Sequence, residues 1–318
     1  MNEEHDFDSA IEEIRTQERP GRANLVGLSD LDHGQVARLR SVWADLSTER
    51  RRWLVDSLAE LAEDNFELDY AAVFKVALSD EDADTRRMAI EGLWESDDLS
   101  VAYALLAMLA NDPAEEVRAA AAGALGHFTY QAEMEEIPAD LAEEVRAALL
   151  DVIHGDGPLE VRRRAVEAIG FLSEDEEAKQ AIAEAYAHPD PRMRTSAVFA
   201  MGRSCDPRWL GDLLHEMESE DPQMRFEAAR ACGELEDPRA VPRLLRLLFD
   251  PDLEVRLTAV QSLGAIGGEQ AISALRTLTE SENEAVAEAA EEALAEAQFA
   301  ESPFSFGAGD LPSKKSDE

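Results

Sequence analysis

Two cysteines and six histidines are the side chains in this sequence best suited to nucleophilic or metal chemistry, and their spacing argues against both. Cys205 and Cys232 lie 27 residues apart with no second cysteine near either, so neither a zinc site nor a local redox pair is indicated. Cys232 occupies an apolar slot that recurs along the chain and reads as a packed core thiol, whereas Cys205 stands at a turn beside Asp206-Pro207. His5, His33, His127, His154, His188 and His215 are scattered, and no two sit at the i, i+4 spacing of a helix-borne metal pair. Gly264-Ala265-Ile266-Gly267-Gly268 joins two helical patterns and does not follow a strand, so it is no phosphate cradle. The expectation is a chain with no catalytic residues, no metal and no cofactor.

Arginine behaves differently, because it recurs. Thr85-Arg86-Arg87-Met88-Ala89-Ile90 returns as Val117-Arg118, Val161-Arg162, Met193-Arg194, Met224-Arg225 and Val255-Arg256 phrases, then as a decayed copy at Val286-Ala287. Anchored on that arginine, the steps are 32, 44, 32, 31, 31 and 31 residues, a period that marks a solenoid. Three residues past the anchor the residue is always alanine (Ala89, Ala121, Ala165, Ala197, Ala228, Ala259, Ala290). Six past it the residue is small, and seven past it a larger apolar side chain such as Leu125, Ile169 or Cys232 appears. Offsets of minus one, three, six and seven share one face at 3.6 residues per turn. Small residues there admit a neighbouring backbone and the larger one fills the gap between layers.

A second helical pattern lies between the copies, as in Trp209-Leu210-Gly211-Asp212-Leu213-Leu214, so each unit is an antiparallel helix pair. Asp-Pro recurs where helices start (Asp112-Pro113, Asp190-Pro191, Asp221-Pro222, Asp250-Pro251), with aspartate suited to the cap and proline to the first turn. No stretch alternates long enough to argue a strand. The fold class is all-α.

These phrases resemble HEAT repeats, particularly the short bacterial kind labelled phycobilisome-lyase-like, with Val117 to Gly126 and Val255 to Gly264 matching most closely. The resemblance spans roughly residues 67 to 297 and implies a right-handed α-α superhelix of about eight helix pairs. It further implies that Arg118, Arg162, Arg194, Arg225 and Arg256 form a structural ladder with turn aspartates of neighbouring units. HEAT arrays serve mainly as protein-interaction scaffolds, and a non-enzymatic scaffold or adaptor is the function implied here. The alternative is an accessory or lyase-type subunit in tetrapyrrole (bilin) attachment. A related enzyme family, deoxyhypusine hydroxylase, builds a di-iron site from several His-Glu dipeptides on such helices, whereas this sequence has His215-Glu216 alone.

Three regions follow. Residues 1–33 carry nine acidic and three basic side chains and are expected to be disordered. Residues 34–298 form the solenoid, with 34–64 as an N-terminal cap pair rich in Trp43, Leu46, Trp53, Leu54, Leu58 and Leu61. Residues 299–318 are expected to be a disordered tail. The step of 44 places an insertion around Tyr130 to Pro138, expected as a loop on one face. Without a secretory signal or a long uncharged apolar run, the expectation is a cytoplasmic monomer away from membranes.

A net charge of −39 repels nucleic acid over most of the surface and favours a protein or peptide with a basic surface. Binding is expected on the second helices, at offsets two, five and nine, which line the concave side in HEAT-like solenoids. There Arg164, Phe171, Phe199, Arg203 and Arg230 place aromatic and arginine side chains on an otherwise acidic molecule. Those residue types dominate binding hot spots. The competing structural reading is that the phenylalanines cover neighbouring helices and the arginines pair with nearby glutamates.

Overall fold

Residues 7–301 are described by a computed structural model of the chain, and among them the fold is entirely helical. Two compact units divide at Leu172 and Ser173. The first holds α1 (Phe7–Thr16), α2 (Arg22–Leu25), α3 (His33–Trp43), α4 (Thr48–Asp64), α5 (Ala71–Ala77), α6 (Ala83–Glu91), α7 (Leu99–Asn111), α8 (Glu115–Glu133), α9 (Ala139–His154) and α10 (Leu159–Ala168). The second holds α11 (Glu176–Tyr186), α12 (Pro191–Arg203), α13 (Leu210–Glu216), α14 (Pro222–Leu235), α15 (Val241–Leu247), α16 (Leu253–Ile266), α17 (Gly268–Leu278) and α18 (Glu284–Glu301). From α3 onward they form eight pairs, and the seven recurrent phrases lie on the second helix of each pair from α6 to α18.

The offset pattern becomes packing. All seven alanines three past the anchor have no exposed surface, and Leu125, Ile169, Met201, Cys232 and Leu263 at offset seven are likewise fully enclosed. Glycine completes the interface one residue later. A Cβ on Gly202 would lie 2.7 Å from the Cα of Ala231, and one on Gly264 would lie 2.7 Å from the Cβ of Ala293. In unit 2, α12, α14 and α16 therefore each lie almost backbone to backbone on the next second helix, which only hydrogen at these positions permits. Buried hydroxyls tie the layers further: Ser262 Oγ donates to the carbonyl of Ala229 at 2.8 Å, and Thr129 Oγ1 to that of Ala168 at 2.6 Å.

Two expectations need correction. The segment 1–33 is helical over Phe7–Thr16 and again over Arg22–Leu28, and α1 buries Phe7, Ala10, Ile11 and Ile14. Those four stand at i, i+3, i+4 and i+7, so the acidic residues between them are the solvated face of an amphipathic helix. Arg50 donates to the carbonyls of Ile14 and Arg15 at the end of α1, and Arg38 stacks over Phe7. The cap pair α3–α4 is thus itself covered. The insertion is likewise no loop: it lengthens α8 to 19 residues and α9 to 16, leaving a short connection at Met134–Pro138. At the other end α18 runs past residue 298 to Glu301, and the expected tail from 302 onward, like residues 1–6, lies outside the described residues.

Candidate functional site

The recurrent arginines serve two kinds of contact. Every anchor from Arg86 except Arg162 donates Nη1 to the carbonyl six residues earlier: Arg86 to Asp80, Arg118 to Asp112, Arg194 to His188, Arg225 to Ser219 and Arg256 to Asp250. Arg162, beyond the lengthened pair, donates to the carbonyl of Ile153 at 3.0 Å. A carboxylate link to the next repeat is added at two of these sixth positions, Asp112 and Asp250, whereas Asp156, six residues before Arg162 and beyond the lengthened pair, is not linked to Arg118. Arg225 grips Asp250 with Nε and Nη2 at 2.7 and 2.8 Å, and Arg86 grips Asp112 at 2.8 and 2.7 Å. Arg51, which belongs to no recurrent phrase, forms an ion pair with Asp80 at 3.2 Å without a hydrogen bond, its Nη2 donating instead to Glu81 at 2.7 Å. The chain Arg51–Asp80–Arg86–Asp112–Arg118 therefore threads unit 1, and Arg225–Asp250–Arg256 threads part of unit 2. After Arg194 and Arg256 the equivalent positions are Ser219 and Ser281, so the implied ladder is interrupted there. Burial acts to raise Asp112 and Asp250, yet the paired guanidinium and a turn amide outweigh it and hold both carboxyls below the usual range.

The five ridge residues fall into the two units. In unit 2, three of them meet. Phe199 on α12 and Arg230 on α14 share the fifth offset of successive repeats, and the Arg230 guanidinium lies 4.2 Å from the Phe199 ring centre. Arg203, one turn beyond Phe199, lies 5.3 Å from the same centre. Both arginines also reach glutamates: Arg230 pairs with Glu227 at 2.9 Å and Glu234 at 2.5 Å, and Arg203 approaches Glu234 at 3.5 Å. Gly202 makes room for that carboxylate, since a Cβ there would stand 2.5 Å from Glu234 Oε2. Burial pushes the Glu234 carboxyl above its ordinary value despite both arginines. The result is a half-buried aromatic ring under two guanidiniums whose charge is already balanced.

In unit 1, Arg164 is half-exposed and pairs with Glu167 at 2.9 Å and Glu160 at 3.3 Å. Phe171, in the 3-10 turn after α10, packs edge-on against Tyr130 with ring centres 5.4 Å apart. Tyr130 belongs to the lengthened part of α8. The sequence reading missed Tyr130, whereas its competing structural reading, that the arginines pair with nearby glutamates, describes the contacts of Arg164, Arg203 and Arg230.

The residues considered first for chemistry are occupied structurally. Cys232 is fully buried and its thiol is pushed up to about 12 by desolvation, while Cys205 has its Sγ 3.5 Å from the Glu234 carbonyl. Both cysteines are free thiols. Glu216 of the His-Glu dipeptide accepts a hydrogen bond from Tyr186 at 2.6 Å. Among the described residues no group of three or more His, Cys, Asp or Glu is arranged to hold a metal, and no helix is long and apolar enough to cross a membrane.

A family model for HEAT repeats matches residues 70–139, 146–215 and 209–295. No curated protein matches the sequence significantly. Among solved structures, human deoxyhypusine hydroxylase in complex with glycerol aligns with 92% of this chain and 96% of its own, at 20% identity and a TM-score of 0.35. Kap95p, from a complex with RanGDP, aligns with 91% of this chain and 45% of its own, at 15% identity and a TM-score of 0.49. The CpcE–CpcF complex of phycocyanin lyase from Nostoc sp. PCC7120 aligns with 71% of this chain and 94% of its own, at 20% identity and a TM-score of 0.47. Likeness at this level carries nothing about activity or ligand.

Proposed function

The chain belongs to the HEAT-repeat family, and from that premise we propose that it is a non-enzymatic scaffold or adaptor, acting as a cytoplasmic monomer, that binds a protein or peptide on its second-helix face. The observation that carries this reading is the Arg203–Phe199–Arg230 stack. Its residues stand outside offsets minus one, three, six and seven, which supply the buried face, and each keeps part of its surface exposed. A ring flanked by guanidiniums offers a partner a part-exposed contact surface whose side chains are already ordered, so little conformational entropy remains to be lost on binding. Because Glu227 and Glu234 balance the arginines locally, recognition at the stack rests on shape and stacking. The net charge of −39 acts at longer range and steers a partner with a basic surface.

The test is recovery of partners from the native host with wild-type protein and with Phe199→Ala, Arg203→Ala as a double substitution. A specific protein recovered by the first and lost by the second, with unchanged circular dichroism, supports the reading. Equal recovery by both eliminates the stack as the binding surface.

A further inference from the structure

The lengthened end of α8 presents a surface that the repeat does not require. His127, Tyr130, Gln131 and Met134 follow i, i+3, i+4 and i+7, so they share an arc of about 100° on one side of the helix. Asp97, in the connection between α6 and α7, meets one edge of this stripe, accepting from Gln131 Nε2 at 2.6 Å and lying 2.9 Å from His127 Nε2. Phe171 meets the other edge through Tyr130. The stripe therefore joins the ends of three successive pairs in unit 1.

Its exposed members are large. Tyr130 and Met134 are 45% and 54% exposed, and Trp94, three residues before Asp97, is 63% exposed. Trp94 is informative because of its repeat position. Eight residues past the anchor, Gly126, Gly170, Gly202, Gly233 and Gly264 occupy the slot that Trp94 fills in the first copy. Packing explains the glycines and does not explain an exposed indole in their place.

The rim is acidic. Residues 88–98 and 127–138 hold seven carboxylates and no lysine or arginine. Arg87 and Lys75 neutralise Glu91 and Asp98, while Glu95, Glu135 and Glu136 point to solvent and the Asp97 side chain is 77% exposed. Exposed apolar side chains with exposed carboxylates beside them in the chain match a ligand that is both cationic and apolar. A phosphate backbone would be repelled by the same rim.

We propose that this edge of unit 1 is a docking surface for a basic peptide segment of another protein, one that alternates lysine or arginine with large apolar side chains. Apolar residues of the segment cover Trp94, Tyr130 and Met134, while its cations meet Glu95, Asp97, Glu135 and Glu136 and stack on the two rings. The proposal rests on the scaffold reading and gives it a partner chemistry, but it uses none of the residues of the Phe199 stack.

The experiment titrates a synthetic peptide of alternating lysine and leucine into the full chain, with a lysine–glycine peptide of equal charge as the comparison. Trp94 reports directly: its emission shifts to the blue as the lysine–leucine peptide covers it, and Trp94→Phe abolishes most of that shift, because Trp43 and Trp209 are already buried and Trp53, half-buried on α4, lies outside the proposed surface. Trp94→Ala, Tyr130→Ala and Met134→Ala combined should weaken binding by about tenfold or more, while Phe249→Ala, at a still more exposed ring in unit 2, leaves it unchanged. All three substituted side chains are exposed, so circular dichroism should confirm an intact fold. Equal affinity of the triple variant, equal affinity for the lysine–glycine peptide, or no binding of either peptide overturns the proposal. A dimer in sedimentation that the triple variant dissolves would make the occupant a second copy and would also overturn it. Phe199→Ala with Arg203→Ala should leave this titration untouched, so failure here and failure of the stack are separable.

Discussion

Replacing Arg225 by alanine should destabilise the protein far more than the same change at Arg194, although both occupy the same position of the repeat. Arg225 makes two short bonds to Asp250 and two more, at 2.9 and 3.1 Å, to the carbonyls of Ser219 and Glu220. Its side chain is 12% exposed and that of Asp250 is 5% exposed, so truncation strands a carboxylate with little access to water. Breaking such a pair costs about 3–5 kcal/mol. Asp250 keeps the amide of Asp252 at 3.0 Å, which places the expected loss near the lower end, about 3 kcal/mol. Arg194 donates instead to two neutral carbonyls at 3.2 and 3.1 Å, long bonds worth about 0.5 kcal/mol each. With a urea dependence of about 3 kcal/mol per molar for a chain of this size, the midpoints should fall by about 1 M and about 0.3 M. Urea unfolding followed by circular dichroism measures both. Equal shifts, or a larger one at Arg194, would refute the claim that the aspartate link makes the difference.

Other expectations concern packing, acid and thiol chemistry. Ala197→Leu forces a larger side chain into a fully enclosed interface and should cost about 1–3 kcal/mol, seen as a lower melting temperature, while Glu288→Leu on the exposed side of α18 should change little. Asp112 and Asp250 have folded pKa values below their unfolded ones, so their contribution is present above about pH 4 and lost as pH falls through the range below it. Asp250→Asn should therefore lower stability at pH 7 and flatten the acid limb of a stability–pH curve. A thiol reagent should label Cys205 in the folded protein, faster at alkaline pH because burial and nearby glutamates raise its pKa, and Cys232 only after unfolding.

The helix pairs were readable because packing repeats itself: alanine at offset three of every copy left one physical explanation, and those alanines are enclosed. The ladder was half readable. Arginine marks the donor in six copies, but the carboxylate link depends on the residue six positions before the next anchor, which is Asp112 or Asp250 in some repeats and Ser219 in another. Of the five arginines assigned to the ladder only Arg225 makes that link, while Arg118, Arg162, Arg194 and Arg256 bond carbonyls, and Arg86, which was not assigned, makes it to Asp112. Arg51 carries no repeat phrase, so only the folded chain brings it to Asp80. The N-terminal helix was hidden by composition, since nine acidic residues masked four apolar ones at helical spacing. On the ridge, spacing brought Phe199, Arg203 and Arg230 together because equal offsets on successive helices become neighbours. It left open whether the arginines face a partner or pair with nearby glutamates, because that depends on rotamers that the repeat does not fix, and the pairs with Glu227 and Glu234 are what the folded chain shows.

The scaffold reading is tested most directly by placing a photo-crosslinking phenylalanine analogue at position 199 and irradiating in the native host. The expected result is a covalent adduct with a defined protein at position 199 and none when the analogue replaces Phe249. No adduct at 199, or the same adducts at both positions, would contradict the assignment of this face as a binding surface.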